Sequence, residues 1–209
     1  MLRIAVADDH SIVRKGIIQI LREEYPEIEI CEASNSMEII ELMRDGKWSL
    51  LISDISMPGR SGIETLKQIK EIYPDLPVLM LSMHPEEQYA IRSLKSGASG
   101  YLTKESAPDE LILAVKSILN GKKYIPISIA EKLADHIGVK NHEFPHSILS
   151  DRENDVFILI ASGKTVTEIA SQLSLSVNTI STYRARILEK MHMKTNAELT
   201  HYAFSNNLL

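Results

Sequence analysis

Three acidic residues stand where two short apolar runs of the sequence end. Asp54 closes the run 48–53, and the pair Asp8 and Asp9 follows the run 2–7. Short apolar runs bounded by turn-forming residues predict strands that are buried on both faces. If the two strands are neighbours, their carboxylates meet at the carboxyl edge of one sheet, where ligands of open α/β sheets bind. Because such a cluster repels itself unless a cation or a proton intervenes, it predicts a Mg²⁺ site with Asp54 exposed beside the metal.

The ligands expected around this ion follow from its chemistry. Mg²⁺ is a hard cation that prefers carboxylate and carbonyl oxygens and keeps several waters. We therefore expect Asp9, Asp54 and the backbone carbonyl of Ser56 to be direct ligands. Asp8 is expected to act through a water molecule.

Two further polar residues end other predicted strands. Ser82 closes the run 78–81, and Lys104 closes the run 100–103. A carboxylate with Mg²⁺, an ammonium group and a hydroxyl suits the formation of an acyl phosphate on Asp54. Each signal alone is weak, because acidic pairs often cap the following helix and a lone lysine after a strand is commonly solvated. The ordered set is more specific, because its members terminate different strands.

Alternating strand and helix patterns over residues 1–120 supply the frame that positions these residues. Five such units with short loops predict a parallel sheet with helices on both faces. The strands are predicted at residues 3–8, 28–33, 49–54, 77–82 and 99–103, and the helices at 11–24, 36–45, 61–73, 86–96 and 108–120.

Residues 148–209 change class, because they contain no proline and show only helical patterns. A capping-box pattern at Ser150 and Glu153 opens the first helix. Two short helices joined by a tight turn, with further helices around them, predict a helix-turn-helix. The four helices are predicted at residues 150–161, 165–173, 176–191 and from 195 onward.

Composition limits the function classes. No apolar run approaches the roughly 20 residues that cross a bilayer, and the first residues lack a signal-peptide layout. With Cys31 as the single cysteine, we expect a cytosolic protein without an internal disulfide. The net charge of −5 is uneven, since residues 1–120 carry −6 and residues 148–209 carry zero, which indicates two bodies with different partners. Residues 122–147 are predicted to be a linker with one short helix at 128–137.

These motifs resemble a bacterial two-component response regulator of the NarL/LuxR-type subfamily over nearly the whole chain. The resemblance implies a receiver domain over residues 1–121 with strand order 2-1-3-4-5, and a LuxR-type DNA-binding domain over residues 148–209. The receiver pattern matches at Asp8-Asp9-His10, Asp54-Ile55-Ser56-Met57-Pro58-Gly59, Ser82 and Gly100-Tyr101-Leu102-Thr103-Lys104. The LuxR-type pattern matches at Leu149-Ser150-Asp151-Arg152-Glu153, Ala161-Ser162-Gly163, Glu168-Ile169-Ala170, Leu173, Ser176 and Thr179-Ile180.

The resemblance also implies roles for individual residues. Asp54 would accept phosphate from a sensor histidine kinase or a phosphorelay protein, Ser82 would turn toward the phosphate, and Tyr101 would change rotamer. Glu105 departs from the pattern, because most receivers have proline after the lysine. Beyond this, His84 follows Ser82 by two positions, and we expect it to tune the lifetime of the phosphorylated state.

The third helix of the second part predicts the DNA-reading face. At roughly 100° per residue, the apolar residues fall on one side, and polar residues that can read base edges fall on the other. Expected to pack inward are Val177, Ile180, Tyr183, Ile187, Leu188 and Met191. Expected to face outward are Asn178, Ser181, Thr182, Ala185 and Glu189, with Thr179 and Arg186 at the edge. Expected phosphate contacts are Arg184, Arg186, Lys190 and Lys194.

The sequence therefore favours a phosphorylation-switched transcription regulator that binds promoter DNA as a dimer, since a neutral domain needs two half-sites. It is not predicted to be an enzyme with an external substrate. One alternative is an aspartyl-phosphate phosphohydrolase, but such enzymes typically place a second acid two residues after the nucleophile, where this chain has Ser56. Another alternative is an adaptor whose helical part binds protein, with an amphipathic helix whose polar face is only solvated.

Overall fold

Five short strands form one parallel sheet in the computed structural model, which describes residues 1–44, 46–57, 61–83, 87–127, 129–131, 144–206 and 208–209. The strands are β1 (Arg3–Ala7), β2 (Glu29–Ala33), β3 (Leu50–Asp54), β4 (Val78–Ser82) and β5 (Gly100–Thr103). Their order is β2-β1-β3-β4-β5, and each neighbouring pair is parallel. The predicted fold class and strand order are confirmed.

Helices cover both faces of this sheet and bury the central strands. They are α1 (Ser11–Glu24), α2 (Ser36–Met43), α3 (Gly62–Ile72), α4 (Glu87–Lys95) and α5 (Ala107–Leu119). One core cluster joins apolar residues of α1 and α5 to the sheet, and a second cluster joins those of α2, α3 and α4. Every residue of β3 and β4 is buried as a result.

Strand register brings the predicted site residues to one edge of the sheet. Ala7 pairs with Ser53, so Asp8 and Asp54 leave adjacent strands at the same level. The ladders continue by one bond beyond the strands, because the Lys104 N–H donates to the Ser82 carbonyl at 2.7 Å. The edge is therefore built from the ends of β1, β3, β4 and β5.

The start of α3 packs against the backbone of Asp54 and Ile55. Ser61 and Glu64 form a capping box, and the Gly62 N–H donates to the Ile55 carbonyl at 2.8 Å. A Cβ at Gly62 would lie 2.3 Å from the Asp54 carbonyl oxygen. Since real Cβ atoms do not approach backbone so closely, only glycine fits at this position.

The residues after α5 pack on the first of two compact units, which are residues Met1–Gly138 and Val139–Leu209. Tyr124 forms an isolated parallel bridge with Gly100, and its carbonyl accepts a hydrogen bond from the Tyr101 N–H at 3.1 Å. Ile129 is buried in the core cluster below α2, α3 and α4. The beginning of the predicted linker is thus part of the first unit. Of the helix predicted at 128–137, residues 129–131 are helical and the others lie outside the described residues.

The second unit consists of helices around a small core. After a 3₁₀ turn at Pro145–Ile148 come α6 (Asp151–Ala161), α7 (Val166–Gln172), α8 (Val177–Lys190) and α9 (Asn196–Ser205). Capping boxes open α6 and α7, and the Ser176 hydroxyl accepts from the Thr179 N–H at the start of α8. The four predicted helices are confirmed.

A tight turn sets α7 against α8. Ser174 adopts a left-handed conformation with φ 52°, and the Leu175 N–H returns to the Ala170 carbonyl at 2.9 Å. Ile180 and Ile187 of α8 are fully buried, as predicted. The inward orientation predicted for Val177 is wrong, since this residue is 46% exposed at the first position of the helix.

Candidate functional site

A single lysine bridges two buried carboxylates at the carboxyl edge of the sheet. Lys104 Nζ lies 2.7 Å from Asp54 Oδ2 and 2.7 Å from Asp8 Oδ2. Both aspartates have 0% exposure, and the lysine side chain has 5%. The exposure predicted for Asp54 is therefore wrong, since this residue is buried at the end of β3, between β1 and β4. Two negative charges face one positive charge in a site that largely excludes water.

Burial and neighbouring charges set the protonation behaviour of this pair. Burial raises the pKa of Asp54, with a further increase from Asp8, and the Lys104 ammonium and the Ser56 N–H only partly oppose it. Burial acts to lower the pKa of Lys104, but Asp54 and Asp8 outweigh it, so this pKa is raised. The lysine is therefore held firmly in its charged form.

Asp9 and His10, the two residues that follow Asp8, lie at the open side of the site. Asp9 is partly exposed, and its Oδ1 lies 2.7 Å from His10 Nδ1. The His10 N–H also donates to Asp8 Oδ1 at 2.8 Å. Each of these three side chains and Asp54 offers a donor atom, and the four atoms lie within 4.8 Å of one another.

The donor set fits a hard divalent cation. Asp54 Oδ1 is buried and has no hydrogen-bond partner among the residues that the structure describes, so one carboxylate oxygen remains for a ligand. Three carboxylates and one ammonium leave a net negative charge that a cation offsets. Ser56 lies two residues after Asp54 and is exposed, and its role as a carbonyl ligand stays a prediction.

The two predicted switch residues are buried beside this cluster. Ser82 ends β4 with 1% exposure, and Tyr101 of β5 has 0%, so its ring packs inward on the α2, α3 and α4 side of the sheet. The peptide bond that follows Lys104 is trans. His84, Pro58 and Gly59 lie outside the described residues.

The polar face of α8 points to solvent as the sequence predicts. Asn178, Ser181, Thr182, Ala185 and Glu189 are all exposed, and so is Arg186. Thr179 is partly buried, and its hydroxyl lies 2.8 Å from that of Ser176. The Thr182 hydroxyl donates to the Asn178 carbonyl at 2.9 Å, so Ser181 offers the less engaged hydroxyl on this face.

The four predicted phosphate contacts differ in their surroundings. Arg186 and Lys194 are exposed. Arg184 is partly buried and donates from Nε to Asn196 Oδ1 at 2.6 Å, so its guanidinium is anchored to the start of α9. Lys190 Nζ lies 2.6 Å from Oε2 of Glu153, a side chain with 4% exposure. These four roles remain predictions. Arg184 and Lys190 also make contacts between helices within the second unit.

Sequence reasoning missed two features of these sites. It quoted His10 within a motif without giving it a function, although a histidine directly before a predicted helix is unusual at a position that favours Ser, Thr, Asp or Asn. It also gave Glu153 only a capping role. The partner of Glu153 is 37 positions away, and no local pattern signals such a pair.

No helix within the described part of the chain combines the length and the apolar character that crossing a membrane requires.

Comparison with known proteins agrees with the two-part architecture. Residues 4–116 match the response regulator receiver domain, and residues 147–203 match the bacterial regulatory proteins of the luxR family.

Similarity to known proteins extends over the whole chain. Response regulator UvrY of Escherichia coli strain K12 is 34% identical over 209 residues, which cover 100% of this chain and 96% of UvrY. RcsB from Salmonella enterica serovar Typhimurium, solved with promoter rprA and the phosphomimetic BeF₃⁻, is 29% identical with a TM-score of 0.64, covering 98% of this chain and 100% of that one. A structure of two RcsB dimers on two parallel DNAs is 31% identical with a TM-score of 0.61 and covers 98% of both chains. The chain belongs to the two-component response regulators that join a receiver domain to a LuxR-type DNA-binding domain, a family of transcription regulators.

Proposed function

We propose that Asp54 is the phosphoacceptor of this response regulator and that the phosphoryl group comes from a phosphohistidine of a sensor histidine kinase or a phosphorelay protein. The observation that carries this proposal is the buried carboxylate of Asp54 with Lys104 at 2.7 Å. Its Oδ1 is the oxygen without a hydrogen-bond partner in the described part of the chain. The carboxylate therefore keeps an oxygen for a further bond.

In the proposed transfer, a carboxylate oxygen of Asp54 attacks the phosphorus atom. The P–N bond to the donor imidazole breaks, a P–O bond forms, and the imidazole leaves as a neutral group after taking up a proton. Lys104 remains charged throughout, because its pKa is raised by the two carboxylates despite its burial. Its ammonium can therefore stabilise negative charge on the phosphoryl oxygens. Asp8, Asp9, Asp54 and Ser56 would hold a Mg²⁺ ion, which when bound supplies further positive charge for those oxygens.

The same site is proposed to lose its phosphate to water without acting on an external substrate. Water attack on the phosphorus atom breaks the P–O bond and regenerates the Asp54 carboxylate. A phosphohydrolase of the aspartyl-phosphate class would use a second acid at position 56, where Ser56 lies exposed. The absence of a carboxyl group at this residue supports slow self-dephosphorylation over turnover of an external phosphoester.

The output is proposed to be binding of promoter DNA through α8. Its exposed face carries Ser181 and Thr182, whose hydroxyls can contact base edges, and Arg186 lies beside them as a phosphate contact. A second unit with no net charge releases few counterions on its own. We therefore propose that two copies bind two half-sites as a homodimer in the cytoplasm, where promoter DNA is located.

The coupling between input and output is proposed to start at β5. Lys104, the residue after β5, contacts Asp54 directly, and the Tyr101 N–H in β5 donates to the carbonyl of Tyr124, in the segment that follows α5. Phosphorylation adds negative charge where Lys104 and Ser82 can respond. Their movement alters the surface formed by residues 89–120, which then favours pairing of two receivers.

A paired measurement tests this proposal. The full chain is incubated with Mg²⁺ and a small phosphodonor, and its dimer fraction and its affinity for two-half-site DNA are measured by sedimentation and titration. Both quantities are expected to rise in the wild type and to stay unchanged in Asp54→Asn. Equal DNA affinity with and without phosphodonor would show that the two domains are uncoupled. Weak binding to all DNA even at low salt would favour the adaptor function.

A further inference from the structure

We infer that Arg14 is a positioning residue for the phosphorylation reaction, because it fixes the peptide group that joins Asp8 to Asp9. This inference rests on the function proposed above and assigns a role in it to a side chain that no sequence motif singled out. Arg14 Nη1 donates to the Asp8 backbone carbonyl at 2.6 Å. The bond goes to the backbone between the two acids, so Arg14 acts on the carboxylates through their position.

The turn that carries these acids is held by bonds from different directions. The Asp8 N–H donates to the Ala33 carbonyl at 3.2 Å, and the His10 N–H donates to Asp8 Oδ1 at 2.8 Å. The bond from Arg14 adds a third direction by holding the carbonyl. Asp8 Oδ2 in turn lies 2.7 Å from Lys104 Nζ. A rotation of this peptide group would therefore displace both acids relative to Lys104.

The shape of the guanidinium explains how one side chain reaches this carbonyl in a fixed geometry. Arg14 lies on α1, and its Nε donates to Oε2 of Glu32 in β2 at 2.7 Å. The planar group presents several N–H donors in set directions, so it can bind a carboxylate and a carbonyl at once. The side chain is 16% exposed. Arg14 therefore ties α1 to β2 across the end of β1, where Asp8 begins the turn.

Charge and position give Arg14 opposite effects on a cation in this site. A guanidinium close to a cation repels it, so by charge alone the loss of Arg14 would strengthen cation binding. Partners that orient metal ligands from the outer shell contribute about 10–100-fold to metal affinity or activity. By position, the loss of Arg14 would therefore weaken cation binding. The sign of the change separates the two roles.

The test measures cation binding and phosphorylation on the full chain. Mn²⁺ is the probe, because it prefers the same oxygen ligands as Mg²⁺ and the electron paramagnetic resonance signal of the free ion gives the bound fraction. The variants are Arg14→Met, Arg14→Lys and Arg22→Met, the last being a control at an exposed position of the same helix.

A second readout separates positioning from a loss of stability. The rate of phosphorylation by a small phosphodonor is measured as the Mg²⁺ concentration is varied, which gives a half-saturating concentration and a maximal rate. A variant that is only less stable has a smaller folded fraction, which lowers the maximal rate and leaves the half-saturating concentration unchanged. Thermal unfolding of each variant without metal measures the folded fraction directly.

We expect Arg14→Met to weaken Mn²⁺ binding by about tenfold and to raise the half-saturating Mg²⁺ concentration by a similar factor. Arg14→Lys keeps the charge and one donor group but loses the planar fork, so its Mn²⁺ affinity should fall between those of Arg14→Met and the wild type. Arg22→Met should stay within about twofold of the wild type, because solvent and salt screen an exposed charge.

Mn²⁺ binding by Arg14→Met that equals or exceeds that of the wild type would overturn the inference and leave the proposed function intact. A wild type that neither binds Mn²⁺ nor accepts phosphate in the presence of Mg²⁺ would overturn the proposed function, and the inference with it. The two failures are distinguishable, because only the first one requires a comparison with Arg14→Met.

Discussion

The carboxylate cluster of the first unit and the exposed face of α8 in the second unit work under opposite conditions. Asp8 and Asp54 are fully buried around Lys104, whereas Ser181 and Thr182 face solvent. In the buried cluster, low dielectric makes each charge depend strongly on its partners. On the helix, each side chain contacts few others. Substitutions in the cluster should therefore abolish phosphorylation. Substitutions on the helix should change DNA binding by smaller, graded amounts.

The largest effect is expected from Asp54→Asn. An amide of the same shape lacks a nucleophilic carboxylate oxygen, so covalent phosphorylation should fall from one phosphoryl group per chain to none. Intact-protein mass spectrometry after incubation with a small phosphodonor and Mg²⁺ measures this directly. Asp75→Asn, at an exposed acid, is the matched control and should accept phosphate normally. An acid-labile and base-labile phosphate that persisted in Asp54→Asn would place the acceptor elsewhere.

The cluster also shows why this part of the molecule was predictable from sequence. Asp54 and Lys104 end buried strands, and a parallel sheet necessarily brings the carboxyl ends of its strands to one edge. Local periodicity and capping residues therefore located the elements and the acids. What they did not give is the burial of Asp54, because burial at a strand end depends on tertiary packing and not on a local pattern.

Contacts between distant positions were the least predictable. Lys190 was expected to bind phosphate from its place on α8, but its ammonium also pairs with Glu153 of α6. Tyr124 falls in the predicted linker 122–147, yet it bridges to β5. Such pairings are decided by tertiary packing, which leaves no period or spacing in the sequence.

A graded effect on α8 is the second prediction. Ser181→Ala should relax preference at one base position by about 1–3 kcal/mol, whereas Arg186→Ala should weaken all sequences similarly and reduce the salt dependence. Thr182→Ala should act like Ser181→Ala but less strongly, because the Thr182 hydroxyl already donates to a backbone carbonyl. Titration of a panel of single-base variants at two salt concentrations separates the two patterns. The same base preference in all three variants would show that this face is misassigned.

Substitution of Lys190 tests whether a residue of α8 can contribute both to the stability of the second unit and to DNA binding. Its pair with Glu153 joins a side chain with 40% exposure to one with 4%, so Lys190→Met should cost about 1–2 kcal/mol, between an exposed and a buried ion pair. Burial acts to raise the pKa of Glu153, but Lys190 and Ser150 outweigh it and lower this pKa. The pair therefore stabilises the fold at pH values above 4.5, the ordinary pKa of a glutamate. This stabilisation is lost as the pH falls through the lowered pKa of Glu153.

Urea unfolding of the second unit at neutral and at acid pH measures the loss of stability caused by Lys190→Met. The difference between wild type and Lys190→Met should shrink at acid pH, where Glu153 becomes protonated. Lys194→Met, at an exposed position, is the control and should change DNA affinity without changing stability. If Lys190→Met behaved in the same way as Lys194→Met, the phosphate contact predicted from sequence would be its main role.

The smallest effect is expected at Tyr124, on the segment that leaves the first unit. Its hydroxyl donates to Glu110 Oε2 at 2.7 Å, and loss of this bond in Tyr124→Phe should cost about 1 kcal/mol. Burial, and then the bond to Glu110, raise the pKa of Tyr124 to about 12. Because an unfolded tyrosine ionises near the ordinary value of 10.0, the wild type should lose stability as pH rises between these two values.

Tyr124→Phe should lack this part of the alkaline loss, so its stability should approach that of the wild type between about pH 9 and about pH 11. Urea unfolding at the two pH values measures the difference, and lysine ionisation cancels because both chains carry the same lysines. Tyr73→Phe, at a partly buried tyrosine after α3, serves as the control. A constant difference across this range would mean that the hydroxyl of Tyr124 does not hold the segment to α5. The attachment of this segment to β5 would then depend on the backbone bonds that Tyr124 makes with Ser99 and Tyr101.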